Sequence, residues 1–230
     1  EPVAMPQGAA VPGDEYWPML REICDKHGVI LICDEVINGF GRTGKMFATE
    51  HWGIQPDIFT VAKALTSGYL PVGAAIASKK IADAFIGDED KTFRHLITFG
   101  GNPPTAAAGL ANLKIMEEEG LVENSANMGD HLYQRLQGLY EHSIVGDVRG
   151  GLGLMAEVEL VKDRDTKAPF SKDDKIGDKV AALFRDHNIL GRLGRGGGIP
   201  IYPPLCVTKD EIDDLVDRLD SVLGKIQSQI

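Results

Sequence analysis

Two short apolar runs, each associated with a chargeable residue, constrain this chain most strongly. "VILIC" at residues 29–33 follows a glycine and leads directly into Asp34, and "FTVAKAL" at residues 59–65 contains Lys63. A short continuous apolar run of this kind predicts a strand buried on both faces of a parallel sheet. Asp34 then lies at the carboxyl end of its strand, the edge where open α/β sheets bind ligands. We expect the apolar neighbours of Lys63 to desolvate its ammonium and favour the nucleophilic amine.

A carboxylate and a nucleophilic lysine together are what pyridoxal phosphate (PLP) requires of a protein. The carboxylate keeps the pyridine nitrogen protonated, so the ring withdraws electrons from the substrate, and the lysine amine forms a Schiff base with the aldehyde. Each residue alone also has a common structural explanation, because an aspartate after a strand often caps a helix and most lysines are solvated on the surface. The prediction therefore depends on the motifs around the two residues.

These motifs read "DEVINGFGRTG" at residues 34–44, "VAKAL" at 61–65 and "PVG" at 71–73. Their combination resembles the class III, or omega, branch of the fold-type I PLP-dependent aminotransferases. The resemblance begins with "EPV" at the first residue and extends over the whole chain. It implies an α/β fold in which residues 1–120 form the second half of a large PLP-binding domain with a mostly parallel sheet, and residues 121–230 form a small C-terminal α/β domain.

The resemblance also implies roles for individual residues. Lys63 would carry the cofactor as a Schiff base, Asp34 would pair with the pyridine nitrogen, and Val36 would pack against one face of the ring. In "HLITFGGNP", Thr98 would bind the phosphate of the cofactor in a partner subunit, and Ile97 beside it would lend a backbone contact. Sharing of this kind implies a homodimer with two-fold symmetric sites.

Two further parts of the site are implied by the same resemblance. Glu1 would lie behind the residues that touch the cofactor. The segment "NILGRLGRGGGIPIYPP" resembles the one that supplies a mobile arginine for the substrate carboxylate, with Arg192 as the best-aligned candidate and Arg195 close behind. A guanidinium suits this task because it binds a carboxylate through two parallel hydrogen bonds.

The implied function is the transfer of an amino group from an ω-amine or amino acid to a keto acid. "FRHLITFGGNP" looks most like the branch that uses pyruvate as acceptor and donors such as taurine or β-alanine. Pro6 stands where the branch acting on 4-aminobutyrate has a second glutamate, which argues against that donor. A PLP-dependent aminomutase of the same fold is an alternative.

The length of the chain leaves a further alternative for its function. Members of the family are roughly twice as long as these 230 residues, and the glycine- and serine-rich phosphate loop expected at a helix N-terminus is not found here. We therefore expect this chain to correspond to the C-terminal half of the enzyme, with a separate N-terminal half as a candidate partner. In the alternative, the chain is catalytically inactive and serves as the structural partner of that half.

The glycines of "GFGRTG" also satisfy the G-x-G-x-x-G pattern of dinucleotide-binding proteins. The context argues against nicotinamide binding, because "DEVI" and Asn38 separate the strand from Gly39 and no helical pattern opens after Gly44. We interpret these glycines as positions where the backbone turns sharply beside the cofactor.

Composition excludes several other classes of protein. The net charge of −10 argues against nucleic-acid binding, which requires basic patches. No apolar stretch approaches the roughly 20 residues of a membrane span. Three cysteines and six scattered histidines lack the spacing of a disulfide framework or a metal site. We expect a cytoplasmic enzyme without a metal.

Periodicity and turn residues predict the secondary structure. "VGDVRGGLGL" at residues 145–154 is predicted as a turn, and a last helix is expected after Thr208 as N-cap, with Glu211 at the capping-box spacing. The remaining predicted elements are helices at 14–26, 104–119, 121–142 and 172–188 and strands at 29–33, 58–62, 73–77 and 155–160.

Overall fold

The computed structural model describes residues 1–194 and 197–229. The chain divides into two compact units. The first consists of Glu1–Pro2 and Pro12–Val122, and the second of Val3–Val11 and Glu123–Ile230. Within the described part, no helix is long and apolar enough to cross a membrane.

The first unit is built on a three-stranded sheet with the order β1-β2-β3. β1 and β2 are parallel, whereas β2 and β3 are antiparallel, so the predicted mostly parallel sheet has one pairing of each kind in the described part. The elements of this unit are β1 (Ile32–Asp34), β2 (Ile58–Val61), β3 (Ala74–Ala77), α1 (Tyr16–His27), α2 (Lys79–Asp83) and α3 (Pro103–Glu118).

The expectation that the run at 29–33 is buried on both faces is wrong. Leu31 and Cys33 are buried and pack with Trp17 and Cys24 of α1, but Ile32 between them is 58% exposed. The reason is the period of two along a strand, which sends alternate side chains to opposite faces. Of these two faces, only the one that packs on α1 is buried.

The second unit combines an antiparallel sheet of order β4-β5-β6 with three long helices. Its core consists of apolar side chains from all six elements, including Leu132, Val158, Phe184 and Leu219. The elements are β4 (Val145–Arg149), β5 (Ala156–Leu160), β6 (Gly198–Ile201), α4 (Leu121–Gln137), α5 (Ile176–Asp186) and α6 (Lys209–Gln227).

The predicted helices agree with the structure except at the start of α5 and the end of α4, which is followed by a 3-10 turn at Gly138–Glu141. A 3-10 turn at Lys172–Asp174 and a left-handed Lys175, with φ of +50°, separate the start of the predicted helix 172–188 from α5. The predicted turn at 145–154 contains β4, because a five-residue strand that includes Gly146 and is followed by a glycine-rich segment shows little periodicity. At the start of α6, the Thr208 side chain accepts a hydrogen bond from the Glu211 backbone, which confirms the capping box.

Close packing in the second unit depends on Gly129 in the middle of α4. A Cβ atom at this position would overlap the backbone carbonyl group of Gly153. Helix and loop therefore touch backbone to backbone, and a side chain at residue 129 would force them apart.

We predict that Gly129→Ala lowers the free energy of unfolding by about 1–3 kcal/mol, the usual cost of overpacking a rigid interior. Chemical denaturation followed by circular dichroism measures this change. The control is Gly138→Ala, since no atom lies within 4 Å of a Cβ atom there. Equal stability of Gly129→Ala and Gly138→Ala would contradict the packing argument.

Candidate functional site

Asp34 and Lys63 lie at the same edge of the first unit's sheet. Asp34 is the last residue of β1, and its Cα atom is in register with that of Thr60 in the parallel strand β2. Lys63 follows two residues after the end of β2. Because the carboxyl ends of neighbouring parallel strands meet at one edge, the fold brings the carboxylate and the amine to the ligand-binding side of the sheet.

Two hydrogen bonds fix the Asp34 carboxylate. The Val36 backbone N–H donates to Oδ1 at 2.9 Å, and the Thr60 hydroxyl donates to the same atom at 3.1 Å. Within residues 1–194 and 197–229, only Oδ1 of this carboxylate accepts hydrogen bonds, so Oδ2 remains available to an external donor such as a protonated ring nitrogen. Thr60 was not singled out from the sequence, although the strand register makes it the direct neighbour of Asp34.

The expectation that apolar neighbours desolvate Lys63 is not met in this structure, where the residue is exposed. Lys63 begins a 3-10 turn, Lys63–Leu65, that follows β2, and its φ of +40° lies in the left-handed region. The alternation of β2 therefore does not extend to Lys63, and its side chain leaves the apolar run.

Glu35 is a buried carboxylate that sequence reasoning passed over. Its side chain is 0% exposed and accepts hydrogen bonds from the backbone N–H groups of Ala48 (3.0 Å) and Thr49 (2.9 Å). Burial raises the pKa of Glu35, while the bonds from Thr49 and Ala48 oppose the rise. Glu35 thereby ties the start of the glycine-rich loop, next to Asp34, to the 3-10 helix Ala48–Trp52. Only its place in an otherwise apolar neighbourhood could have drawn attention to it.

The other residues of the first unit that were predicted to form the site lie in several different segments. Val36 is half-buried and directly follows the Asp34–Glu35 pair. Ile97 and Thr98 are exposed in the segment before α3, where the Ile97 carbonyl accepts a hydrogen bond from Gly100 N–H. Glu1 is exposed, and its neighbour Pro2 accepts a hydrogen bond from the Trp17 indole. The fold thus brings Asp34, Val36 and Lys63 to one edge of the sheet, and Ile97 and Thr98 lie in the segment that precedes α3.

Arg192 belongs to the second unit and is exposed in the loop between α5 and β6. Arg195, the second arginine candidate, lies outside the described residues. The loop is pinned near Arg192 by a hydrogen bond of 2.6 Å from Gly194 N–H to the Gly198 carbonyl.

A partly buried ion-pair cluster, of which only Glu157 is buried, lies close to this loop. The Arg149 guanidinium pairs with Asp147, Glu157 and Glu159 at 3.0, 3.2 and 2.5 Å. Burial raises the pKa of Glu157, and the neighbouring Arg149 opposes the rise. A Cβ atom at Gly198 would overlap the Glu157 carboxylate, so the loop requires glycine where it passes the cluster.

The groups at the sheet edge match the chemistry of PLP. The anchored Asp34 carboxylate with an available Oδ2 suits a pyridinium nitrogen, and the exposed Lys63 amine, just after the neighbouring strand, suits an aldehyde. Within the described residues, no group of three or more His, Cys, Asp or Glu side chains is arranged to hold a metal ion.

We predict that Glu35 gives stability a pH dependence that Glu35→Gln lacks. Because the folded pKa is raised, this carboxyl stabilises the fold fully below its ordinary value of 4.5, and the contribution is lost as pH rises through the folded pKa. The free energy of unfolding of the parent should therefore fall relative to that of the variant, by at most about 1.4 kcal/mol per pH unit.

Urea denaturation at a series of pH values upward from 4.5 measures the difference between the two proteins. Glu22→Gln is the matched control, since this α1 side chain is exposed and stays hydrated in the folded protein. A constant difference between parent and Glu35→Gln over the whole range would refute the prediction.

Comparison with known proteins gives matches over nearly the whole of this chain. An uncharacterized aminotransferase of Bacillus subtilis is 43% identical over 222 residues, which cover 94% of this chain and 49% of that protein. Taurine–pyruvate aminotransferase of Bilophila wadsworthia is 38% identical over 239 residues, covering 100% of this chain and 52% of that protein. An amine transaminase from an uncultivated Pseudomonas species, solved in its PLP-bound form, is 40% identical with a TM-score of 0.92, covering 97% of this chain and 51% of that one.

The chain spans about half the length of the curated relatives it matches. Its α/β fold is that of solved fold-type I transaminases, which confirms the predicted fold class. The family model for class-III aminotransferases matches residues 1–223. This chain therefore belongs to the class III aminotransferase family, whose members depend on PLP.

Proposed function

We propose that this chain carries the lysine-bearing part of the active site of an aminotransferase that moves an amino group from an ω-amine or amino acid to a keto acid. The observation that supports this most directly is the placement of the Asp34 carboxylate and the Lys63 amine at the carboxyl ends of adjacent parallel strands. A carboxylate for the ring nitrogen and an amine for the aldehyde are the two groups that PLP requires.

Bound PLP supplies an electron-withdrawing ring that acidifies the substrate carbon bonded to the amino group. Asp34, held by Val36 N–H and Thr60, keeps the proton on the ring nitrogen. Lys63 would hold the cofactor through its amine and would act as the general base that takes the proton from the substrate carbon. Val36 covers one face of the ring.

The proposed substrate preference depends on how the chain binds the keto acid that accepts the amino group. Arg192 binds the carboxylate of the keto acid through two hydrogen bonds and turns away for donors that lack a carboxylate. Its exposed position in a loop is compatible with such movement. The acceptor we propose is pyruvate, because "FRHLITFGGNP" resembles the pyruvate-using branch and a taurine–pyruvate aminotransferase is among the relatives.

We further propose a homodimer whose subunits share their active sites. The segment that contains Thr98 exposes several large apolar side chains, among them Leu96 at 98% and Phe99 at 78%. Apolar side chains exposed in a row are typical of a surface that another chain covers. In such a dimer, Thr98 binds the phosphate of the partner subunit's cofactor, Ile97 adds a backbone contact, and Glu1 supports the cofactor from behind.

The remaining proposals concern organisation and location. We assign residues 1–120 to the PLP-binding domain and 121–230 to the small domain, with the difference that Val3–Val11 packs with the second unit. A cytoplasmic location fits the three cysteines, all of which are unpaired. The alternatives are an inactive half-chain that supports a separate N-terminal half, and an aminomutase of the same fold.

The proposed function predicts selective capture of PLP by Lys63. Incubation with PLP followed by borohydride should leave a stable adduct on Lys63, located by mass spectrometry of peptides, and Lys63→Ala should remove it. The exposed Lys45→Ala is the control and should retain the adduct. Equal labelling of Lys63 and other exposed lysines would instead favour the inactive half-chain.

Thr98→Ala is predicted to weaken PLP binding about tenfold, because a hydroxyl donating to a charged phosphate contributes roughly 1.5–3 kcal/mol. The control is Thr92→Ala, at an exposed position of the same segment. Absorbance titration with PLP measures both affinities.

Mixing the two variants tests whether sites are shared. A chain with Thr98→Ala keeps Lys63, and a chain with Lys63→Ala keeps Thr98, so a mixed dimer regains one intact site. Recovery of tight binding at that site supports sharing. Binding that stays weak after subunit exchange, or a monomer in sedimentation, would rule out the shared site.

A further inference from the structure

The backbone that carries Lys63 adopts an unfavourable conformation. Both Lys63 (φ +40°) and Ser67 (φ +49°) lie in the left-handed region of backbone conformation, which residues other than glycine rarely adopt. Two such residues within five positions persist only where the surrounding structure holds them in place. The contacts that hold this segment therefore decide where the Lys63 amine lies.

One side chain of α3 makes three of the hydrogen bonds to this segment. The Asn112 Nδ2 group donates to the carbonyl oxygens of Ala64 (2.8 Å) and Leu65 (3.3 Å), the two residues that follow Lys63. Its Oδ1 atom accepts a hydrogen bond of 2.6 Å from the Ser67 hydroxyl. A single carboxamide thus binds three residues of the turn, Ala64, Leu65 and the left-handed Ser67.

Gly109 lies one turn earlier than Asn112 on the same face of α3, beside the same segment. A Cβ atom at Gly109 would be 3.7 Å from the Leu65 carbonyl oxygen and 3.9 Å from the Thr66 methyl group. The far end of the segment is closed by a hydrogen bond of 2.6 Å from the Thr66 hydroxyl to the Leu70 carbonyl. The turn is therefore attached to a 16-residue helix through Asn112.

We propose that Asn112 is a positioning residue that sets the geometry in which Lys63 captures PLP. This role rests on the function proposed above for Lys63. In the capture, the Lys63 amine attacks the aldehyde carbon, a carbon–nitrogen double bond forms, and the aldehyde oxygen leaves as water with the two amine protons. Asn112 touches neither reactant, and it acts by holding the backbone on which the amine is mounted.

Asn124 provides a matched control in the second unit. Its Nδ2 group also donates to two backbone carbonyls, those of Leu205 (2.7 Å) and Val207 (3.1 Å). Asn112→Ala and Asn124→Ala therefore remove the same kind of clamp, one beside Lys63 and one elsewhere. Loss of stability alone would affect both variants alike.

The experiment measures the initial rate at which PLP and borohydride modify Lys63, by mass spectrometry. We expect Asn112→Ala to slow the modification about tenfold, since small misplacements of a reacting group have effects of this order or larger. Asn124→Ala should react within about twofold of the parent, because its clamp lies far along the chain from Lys63. Amide hydrogen exchange in peptides covering residues 64–69 should quicken in Asn112→Ala and not in Asn124→Ala.

Two further variants separate the hydrogen bonds that Asn112 donates from the one that it accepts. Asn112→Asp keeps the acceptor for Ser67 but loses both donated bonds, so it should react as slowly as Asn112→Ala, and its near-identical size protects the experiment if the alanine variant fails to fold. Ser67→Ala keeps both donated bonds and should react nearly as the parent does.

Each outcome has a defined meaning. Parent rates in Asn112→Ala or Asn112→Asp overturn the positioning role and leave the proposed function intact. Equal slowing in Asn124→Ala also overturns it, since general destabilisation then explains the effect. A parent chain in which Lys63 reacts no faster than other exposed lysines overturns the proposed function, and the role of Asn112 with it.

Discussion

The parallel pairing of β1 with β2 is the contact on which the candidate site depends. It sets Asp34 beside Thr60 and brings Lys63 to the same edge of the sheet, although the two charged residues are far apart in sequence. The pairing also supplies the hydroxyl that orients the carboxylate. A slip of one residue in this register would turn Thr60 to the other face and remove that contact.

Buried carboxylates play the same structural part in both units. Glu35 receives two backbone N–H groups and anchors the loop that follows Asp34, and Glu157 is paired with Arg149 beneath the loop that carries Arg192. Burying a carboxylate is costly unless hydrogen bonds or an opposite charge compensate it, so each group restrains the backbone or side chain that satisfies it. In the first unit this restraint fixes the loop after Asp34 to the 3-10 helix Ala48–Trp52, and in the second unit it joins β4 to β5.

Much of the fold could be predicted from patterns that act locally. Helical periodicity and the capping residues located α1, α3, α4 and α6, because the signals for these helices lie within the helices themselves. β4 and β6 were missed, since a strand in a small antiparallel sheet is defined by its partners. Burial was predicted less well. The run at 29–33 has one exposed face and Lys63 is exposed, although both lie in apolar sequence.

The sequence by itself determined the family, the fold class and the two residues most characteristic of PLP chemistry, because motif identity and apolar runs are properties of consecutive residues. Only the tertiary structure decided how those residues are held. Thr60 reaches Asp34 through strand register, and Asn112 reaches the Lys63 segment because α3 packs against it. Neither contact has a signal along the chain, since each joins residues brought together only by folding.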